Sequence, residues 1–263
     1  MPSFDLTDRV ALVTGGSQGF GKAIALALAR QGANVAIAAR EPEQVTVGRE
    51  RPHEPVGPIV DEMRAMGSSA IGITVDVREQ EQVDAMVVQT MDAFGRIDIL
   101  VNVVGGSWGE TFRSGPLVEL EPHDFIECYR VNVLTGFMCS KAVQPIMKAQ
   151  GKGAIVNIAS GAGVHPGTGQ AAYGAAKAAV INMTKSMAYE WAPEIRVNSV
   201  ALGGIETPHR PMWVEATQRA DPSRNAMGRL GTPDEHAGTV LWLVSDAAGF
   251  ITGATIEADG GRR

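Results

Sequence analysis

A short apolar segment that runs directly into a glycine-rich turn and a helical pattern sets the strongest limit on the fold. Residues Val10 to Thr14 have the composition of a buried strand, and Gly15-Gly16-Ser17-Gln18-Gly19-Phe20-Gly21 follows at once. Glycines here allow a tight bend and a close approach of the backbone to a pyrophosphate, which would rest on the helix N-terminus. The segment predicts a dinucleotide-binding turn with contacts from Gly15, Ser17, Gln18, Gly19, Phe20 and Gly21.

Further strand patterns alternate with helical patterns along the chain. Alternation of this kind predicts parallel β-α-β units. The 263 residues are therefore expected to form one α/β domain, residues 1–263, with a Rossmann-like, doubly wound, seven-stranded parallel sheet and helices on both faces. After the first strand, the predicted strands are Asn34–Ala39, Ala70–Val75, Ile97–Val101, Ala154–Ala159, Ile195–Val200 and Ala254–Glu257.

The composition argues against several functions. The formal charge is −6 and no cluster of Lys and Arg occurs, so no nucleic-acid partner is expected. Cys128 and Cys139 have neither metal-ligand nor disulfide spacing, so they are expected to be reduced thiols, and no metal site is predicted. No apolar run reaches the ~18 residues of a membrane span. A soluble, cytoplasmic protein with a small-molecule substrate is expected.

The end of the second strand bears on which dinucleotide binds. An acidic residue at this point suits the ribose hydroxyl of NAD, whereas Arg suits the 2′-phosphate of NADP. The strand is followed by Arg40, which favours NADP as the cofactor, and then by Glu41, which keeps NAD possible. An ordinary solvated Arg40 is the alternative.

Other polar or small residues follow the strands at the same predicted edge of the sheet. Ligands of doubly wound sheets bind at the carboxyl ends of the strands. Asp76 is placed to accept a hydrogen bond from the adenine amino group, beside the backbone of Val77, although capping of the next helix is an equally good role for it. Asn102 ends the fourth strand, and Gly105 allows the chain to pass close to the cofactor.

Two segments depart from the alternation of strands and helices. Prolines interrupt residues 47–58, which are predicted to be a surface insertion, with a helix resuming near Ile59. Residues 207–229 combine proline, glycine and charge, and are predicted to be a mobile lid over the substrate.

A tyrosine and a lysine with helical spacing carry the predicted chemistry. Tyr173 and Lys177 are four apart in an Ala-rich segment and share one face if it is helical. A nearby ammonium lowers the pKa of a phenol, which favours acid/base catalysis near neutral pH. The same spacing is also typical of an exposed amphipathic helix. Ser160 ends the fifth strand with a hydroxyl. Two long helices are predicted, near Pro122 to Gln150 and near Ala171 to Trp191, and Asn132 is a polar residue inside the first of them.

Taken together, these motifs resemble the short-chain dehydrogenase/reductase superfamily over essentially the whole chain. The resemblance implies that Tyr173 is the general acid/base, that Ser160 polarises the substrate carbonyl and that Lys177 binds the nicotinamide ribose. It also implies that Asn132 anchors a relay water. The matching set is Thr14, Gly15, Gly19, Gly21, Asn102, Gly105, Asn132, Ser160, Tyr173, Lys177, Asn198 and Thr207, and the implied nicotinamide contacts are Gly203, Ile205 and Thr207.

Two departures from the superfamily's pattern occur next to residues that are expected to bind the cofactor. The sequence has Asn102-Val103-Val104-Gly105 where the family has Asn-Asn-Ala-Gly, and Leu202-Gly203 where it has Pro-Gly. The first removes a polar side chain near the adenine ring. The second is expected to loosen the turn under the nicotinamide and so to weaken the affinity for the cofactor.

The substrate is the least constrained part of the prediction. Ser160, Trp108, His165, Met212 and Trp213 are the expected substrate contacts, which suits a partly apolar compound. The leading function is NADP-dependent reduction of a carbonyl, or oxidation of a secondary alcohol, in a 3-oxoacyl, steroid-like or terpenoid compound. An NAD-dependent alcohol dehydrogenase, an enoyl thioester reductase and a non-enzymatic NADP(H)-sensing scaffold are the alternatives. The resemblance implies a homotetramer, and the sequence itself leaves a dimer as the alternative.

Overall fold

Seven parallel strands form the centre of the computed structural model, which describes residues 4–40, 55–107, 111–206 and 225–262. Their spatial order in the described residues is β3-β2-β1-β4-β5-β6-β7. The direction of the strand order reverses between β1 and β4. The carboxyl ends of these two strands flank the crevice in which such folds bind ligands. The predicted seven-stranded, doubly wound sheet is confirmed. The strands are β1 (Val10–Thr14), β2 (Asn34–Ala39), β3 (Ala70–Thr74), β4 (Ile99–Asn102), β5 (Gly153–Ser160), β6 (Ile195–Leu202) and β7 (Thr255–Ala258).

Helices cover both faces of this sheet. They are α1 (Gly19–Arg30), α2 (Val56–Ala65), α3 (Gln80–Phe94), α4 (Pro122–Tyr129), α5 (Thr135–Gln150), α6 (Gly161–Val164), α7 (Ala171–Trp191) and α8 (Pro233–Val244). On one face, α1, α2 and α8 pack against alternate strand residues such as Val13 and Ile37. On the other, α3, α5 and α7 pack against Leu12 and Ala36. Since both faces are buried, the strands are almost continuously apolar.

Some boundaries differ from the predicted ones. The helix after the insertion begins at Val56, three residues before Ile59, because a proline such as Pro58 is tolerated in a first turn, where its missing N–H needs no partner. β4 begins at Ile99 rather than Ile97. The rest of the insertion, residues 47–54, and residues 207–224 of the predicted lid lie outside the described residues.

The long helix predicted from Pro122 to Gln150 is interrupted by a wider turn. A π-helical segment, Arg130–Leu134, separates α4 from α5. Such segments occur frequently at functional sites, and this one contains Asn132. Within the described residues, no helix is both long and apolar enough to cross a bilayer.

Candidate active site

The turn between β1 and α1 is shaped to receive an anion. A Cβ atom at Gly21 would lie 2.1 Å from the carbonyl oxygen of Gly15, so only glycine lets α1 pack this closely on the turn. The side chain of Gln18 makes no capping bond to α1 within the described structure. The first-turn N–H groups are therefore left for a ligand such as a phosphate.

The predicted contacts at this turn differ in exposure. Ser17 and Phe20 are buried, whereas Gln18 and Gly19 are half-buried. The ring of Phe20 meets the ring of His236 on α8 edge to face, with 6.1 Å between the centroids. Sequence reasoning missed His236, which supports the turn from the adjoining helix.

The carboxyl ends of β2 and β3 bring two arginines to one carboxylate. Asp76 accepts hydrogen bonds from the backbone N–H of Arg78 at 3.0 Å and from its Nε at 2.9 Å. Burial alone would raise the pKa of Asp76, but these bonds and the charges of Arg78 and Arg40 lower it below its ordinary value. Glu79, not Asp76, is the N-cap of α3. The side chain of Val77 packs in the core, so a cofactor contact there would involve its backbone.

Asn102 turns its side chain into the protein. Its Nδ2 donates to Asn157 Oδ1 at 2.8 Å and to Ser140 Oγ at 2.9 Å. Asn157 Nδ2 in turn donates to Thr184 Oγ1 at 2.9 Å. These bonds tie β4, β5, α5 and α7 together beneath the site. The cofactor contact of Asn102 stays a prediction.

Asn132 fastens the loop after β4 to the π-helical turn. Its Nδ2 donates to the carbonyl oxygens of Gly106 and Cys128, both at 3.0 Å, and its Oδ1 accepts the N–H of Gly106 at 2.9 Å. Gly105 has a φ of 149°, and a Cβ there would lie 2.6 Å from Asn132 Oδ1 and 3.0 Å from Lys177 Nζ. Only glycine therefore allows the loop to pass between these two groups.

Lys177 is a buried ammonium one helical turn after Tyr173 on α7. Its Nζ donates to the carbonyl oxygen of Ile158 at 2.8 Å and lies 5.8 Å from the centroid of the Tyr173 ring. Burial lowers the pKa of Lys177 to about 8. Tyr173 itself is half-buried.

Ser160 brings a hydroxyl to the same place. It ends β5, two residues after Ile158, and its Oγ accepts the N–H of Ala162 at 3.2 Å. A hydroxyl, a phenol and an ammonium thus lie at one edge of the sheet, and the Asn132 amide and this ammonium both lie next to Gly105. Cys128 packs beside Asn132, and burial raises the pKa of its thiol to about 11, so it is an inert neighbour.

The loop after β6 is held by backbone bonds. The N–H of Gly203 donates to Ala258 O at 2.9 Å, and that of Glu206 donates to Gly231 O at 2.8 Å. Ile205 forms a parallel bridge with Gly231. Leu202 is part of β6 and pairs with Ala258, so the turn that lacks the family's proline is fixed by strand pairing.

Of the predicted substrate contacts, Ser160 and His165 lie in the part of the chain that the structure describes. Nε2 of His165 lies 2.8 Å from Glu257 Oε2 on β7, so the loop after Ser160 is tied to the last strand. Phe112 is buried against α4 and α7. Outside the described residues lie Trp108, Thr207, Met212 and Trp213.

Comparison with known proteins decides the family. Residues 15–263 match the enoyl-(acyl carrier protein) reductase family. The chain is 41% identical, over 98% of its length and 97% of the relative's, to subunit BbsD of (2S)-[(R)-hydroxy(phenyl)methyl]succinyl-CoA dehydrogenase from Thauera aromatica. The chain belongs to the short-chain dehydrogenase/reductase superfamily. It is an oxidoreductase that acts on CH–OH and C=O groups with a nicotinamide dinucleotide cofactor.

Other members of the superfamily are similar over the same length. A 3-oxoacyl-[acyl-carrier-protein] reductase from Synechocystis is 38% identical, with 97% of each chain covered. A solved structure of 7α-hydroxysteroid dehydrogenase complexed with NADH and 7-oxo glycochenodeoxycholic acid has a TM-score of 0.84 and 27% identity, covering 98% of this chain and 96% of that one. The uncapped start of α1 and the close packing at Gly21 fit the pyrophosphate of the superfamily's cofactor.

Proposed function

We propose that this protein reduces the ketone of a partly apolar 3-oxoacyl thioester, or oxidises the corresponding secondary alcohol, with NADP(H). The observation that carries the proposal is the buried Lys177, placed against Tyr173 at the edge where β5 ends in Ser160. Two relatives support the substrate class, because they are named for acyl groups on CoA and on acyl carrier protein.

The residues divide the chemistry among them. The nicotinamide supplies or takes the hydride. Tyr173 gives a proton to the substrate oxygen, or removes one from it, while the ammonium of Lys177 stabilises the phenolate. Ser160 donates a hydrogen bond to the same oxygen and so stabilises negative charge there. Asn132 holds the Gly106 backbone in place and anchors the relay water.

The preference for NADP(H) rests on Arg40. It lies close enough to Asp76 to lower the pKa of that carboxyl, at the edge where the adenosine ribose would bind, and Arg78 adds a second positive charge. A guanidinium at this place suits the 2′-phosphate, since Arg binds phosphates with paired N–H donors.

Arg40→Ala is expected to weaken NADPH binding by about 10- to 100-fold, since it removes one charge-assisted contact. NADH binding will change by less than about twofold, because NADH lacks the 2′-phosphate. Fluorescence titration of the wild type and the variant measures both. Arg30→Ala is the control, because Arg30 is exposed at the far end of α1. Equal NADH and NADPH binding by the wild type would contradict the proposal and favour an NAD-dependent dehydrogenase with Glu41 at the ribose.

A panel of substrates tests the reaction. With NADPH, a 3-oxoacyl thioester is expected to be reduced to its 3-hydroxy product, and an enoyl thioester of the same chain length is expected to be left unchanged. A 7-oxosteroid is the second candidate, which the likeness to 7α-hydroxysteroid dehydrogenase favours. Reduction of the enoyl thioester alone would contradict the assigned roles of Ser160 and Tyr173.

We also propose that the protein assembles as a homotetramer. Apolar side chains of α4 and α5 are exposed in the single chain by between 37% and 65%, namely Phe125, Ile126, Tyr129 and Phe137. Exposed apolar patches of this kind mark contacts with other chains. Light scattering is expected to give the mass of four chains, and the mass of one chain would contradict the proposal.

A further inference from the structure

A guanidinium group from the segment after β7 lies beside the end of β5. Arg262 Nη2 donates to the carbonyl oxygen of Pro166 at 3.1 Å. Its Nη1 lies 3.5 Å from the position that a Cβ atom of Gly161 would take, and Gly161 directly follows Ser160. A positive charge is therefore held beside Gly161, the residue that follows Ser160.

Backbone pairing fixes the segment that carries this charge. Arg262 forms an antiparallel bridge with Asn225, and the N–H of Ala226 donates to the carbonyl oxygen of Gly261 at 2.8 Å. Residues 225–229 are the end of the predicted lid. Arg262 thus lies between that end and the loop after Ser160, the two segments expected to enclose the substrate.

Two carboxylates shortly before Arg262 in the chain, Glu257 and Asp259, bond to groups other than its guanidinium. Glu257 pairs with His165 at 2.8 Å, and Asp259 Oδ1 accepts the backbone N–H groups of Gly261 at 2.9 Å and of Arg262 at 3.3 Å. Within residues 4–40, 55–107, 111–206 and 225–262, no carboxylate forms an ion pair with the Arg262 guanidinium. The bond to Pro166 occupies one N–H donor of the Arg262 guanidinium. A guanidinium has several such donors.

We propose that Arg262 is a specificity residue that binds a carboxylate of the substrate. Its planar N–H donors match a carboxylate bidentately, and its position next to Gly161 places that carboxylate near the carbonyl held by Ser160. The enzyme would then prefer 3-oxoacyl thioesters that carry a second, anionic carboxylate in the acyl part. This inference rests on the proposed function, because it needs Ser160 to fix the ketone.

Arg262→Gln removes the charge and keeps a shorter, polar side chain, whereas Arg262→Met removes the charge and every N–H donor. The bond from Nη2 to Pro166 is lost in both variants, so the comparison of two substrates, and not the variant alone, separates charge from structure. The substrate pair is a 3-oxoacyl thioester with a free carboxylate and its methyl ester on the same thiol. We expect Arg262→Gln to raise KM for the acid by about 10- to 100-fold, the effect of one charge-assisted contact. KM for the ester and Kd for NADPH will change by less than about twofold, and Arg30→Gln will leave all three constants unchanged.

Direct binding keeps this test independent of turnover. The acid and the ester are also titrated by calorimetry into protein loaded with NADP⁺, which cannot reduce them. A wild type that binds the acid and the ester equally overturns the proposal. So does an Arg262→Gln variant that weakens both to the same extent, which would indicate a contact with the phosphates of the thiol carrier or a purely structural role. Discrimination in binding without reduction of any thioester would instead contradict the proposed function and leave the role of Arg262 supported.

Discussion

Replacing Tyr173 by Phe will lower kcat for a 3-oxoacyl thioester by about 10²- to 10⁴-fold, the usual contribution of a positioned general acid. The ring of Tyr173 lies 5.8 Å from the ammonium of Lys177, and the substitution removes only the hydroxyl that transfers the proton. The ring still packs against the buried cluster that contains Phe112 and Cys128. The Kd for NADPH is therefore expected to change by less than about twofold.

Steady-state rates and a fluorescence titration with NADPH check both halves of this prediction. Tyr189→Phe is the matched control, because Tyr189 lies on the same helix and is 88% exposed. Near-normal kcat in the Tyr173 variant would show that another group transfers the proton. Loss of NADPH binding would show that the hydroxyl acts on the cofactor.

Lys177→Met is expected to abolish most turnover and yet to stabilise the cofactor-free protein. Activity will fall by about a hundredfold or more, because the charge that stabilises the phenolate is gone. Burial holds the pKa of Lys177 at about 8, against an ordinary 10.5. That difference corresponds to about 3 kcal/mol of stability lost at neutral pH by burying the charge. Methionine fills a similar volume without this cost, so a gain of about 1–3 kcal/mol in the free energy of unfolding is expected.

The stabilising effect of Lys177→Met depends on pH in a defined direction. Below a pH of about 8, Lys177 carries its proton in both the folded and the unfolded wild type, and the full cost of burying the charge is present. As the pH rises from about 8 to about 10.5, the folded state loses its proton and the cost disappears. The advantage of the methionine variant should shrink over the same range.

Urea unfolding of both proteins near neutral pH and near a pH of about 10 measures this trend. Lys185→Met is the control, since Lys185 is exposed on the same helix and its replacement should change stability by less than about 0.5 kcal/mol. A Lys177→Met protein that is clearly less stable than the wild type at neutral pH would contradict the account, because it would mean that the ammonium stabilises the fold.

Much of the fold could be predicted from the sequence because the apolar pattern is clear. β2 and α7 have the predicted ends, Asn34–Ala39 and Ala171–Trp191. The misplaced start of β4 has a long-range cause. Asp98 lies before β4 and its carboxylate accepts the N–H of Val10 at 2.9 Å, so a side chain replaces a strand bond there. Such a contact joins residues 88 positions apart and is not visible in a local pattern.

The candidate site was predictable in its residue types and less so in its contacts. The spacing of Tyr173 and Lys177 indicates a shared helical face, but it does not show that Ile158 anchors the ammonium. The π-helical turn at Asn132 has no sequence signature, since Arg130–Leu134 reads as ordinary helix. Arg262 reaches a carbonyl 96 positions away, so only the folded chain brings it to the site. Arg78 could have been found from its position two residues after Asp76.

Single-turnover mixing of NADPH-loaded protein with a 3-oxoacyl thioester tests whether the protein transfers hydride to the ketone. We expect the NADPH absorbance to fall in one phase as one equivalent of 3-hydroxyacyl thioester forms, and Tyr173→Phe to slow this phase while it still binds NADPH. NADPH that binds tightly but is never consumed, with any carbonyl compound of the panel, would contradict the account and indicate a nucleotide-sensing protein.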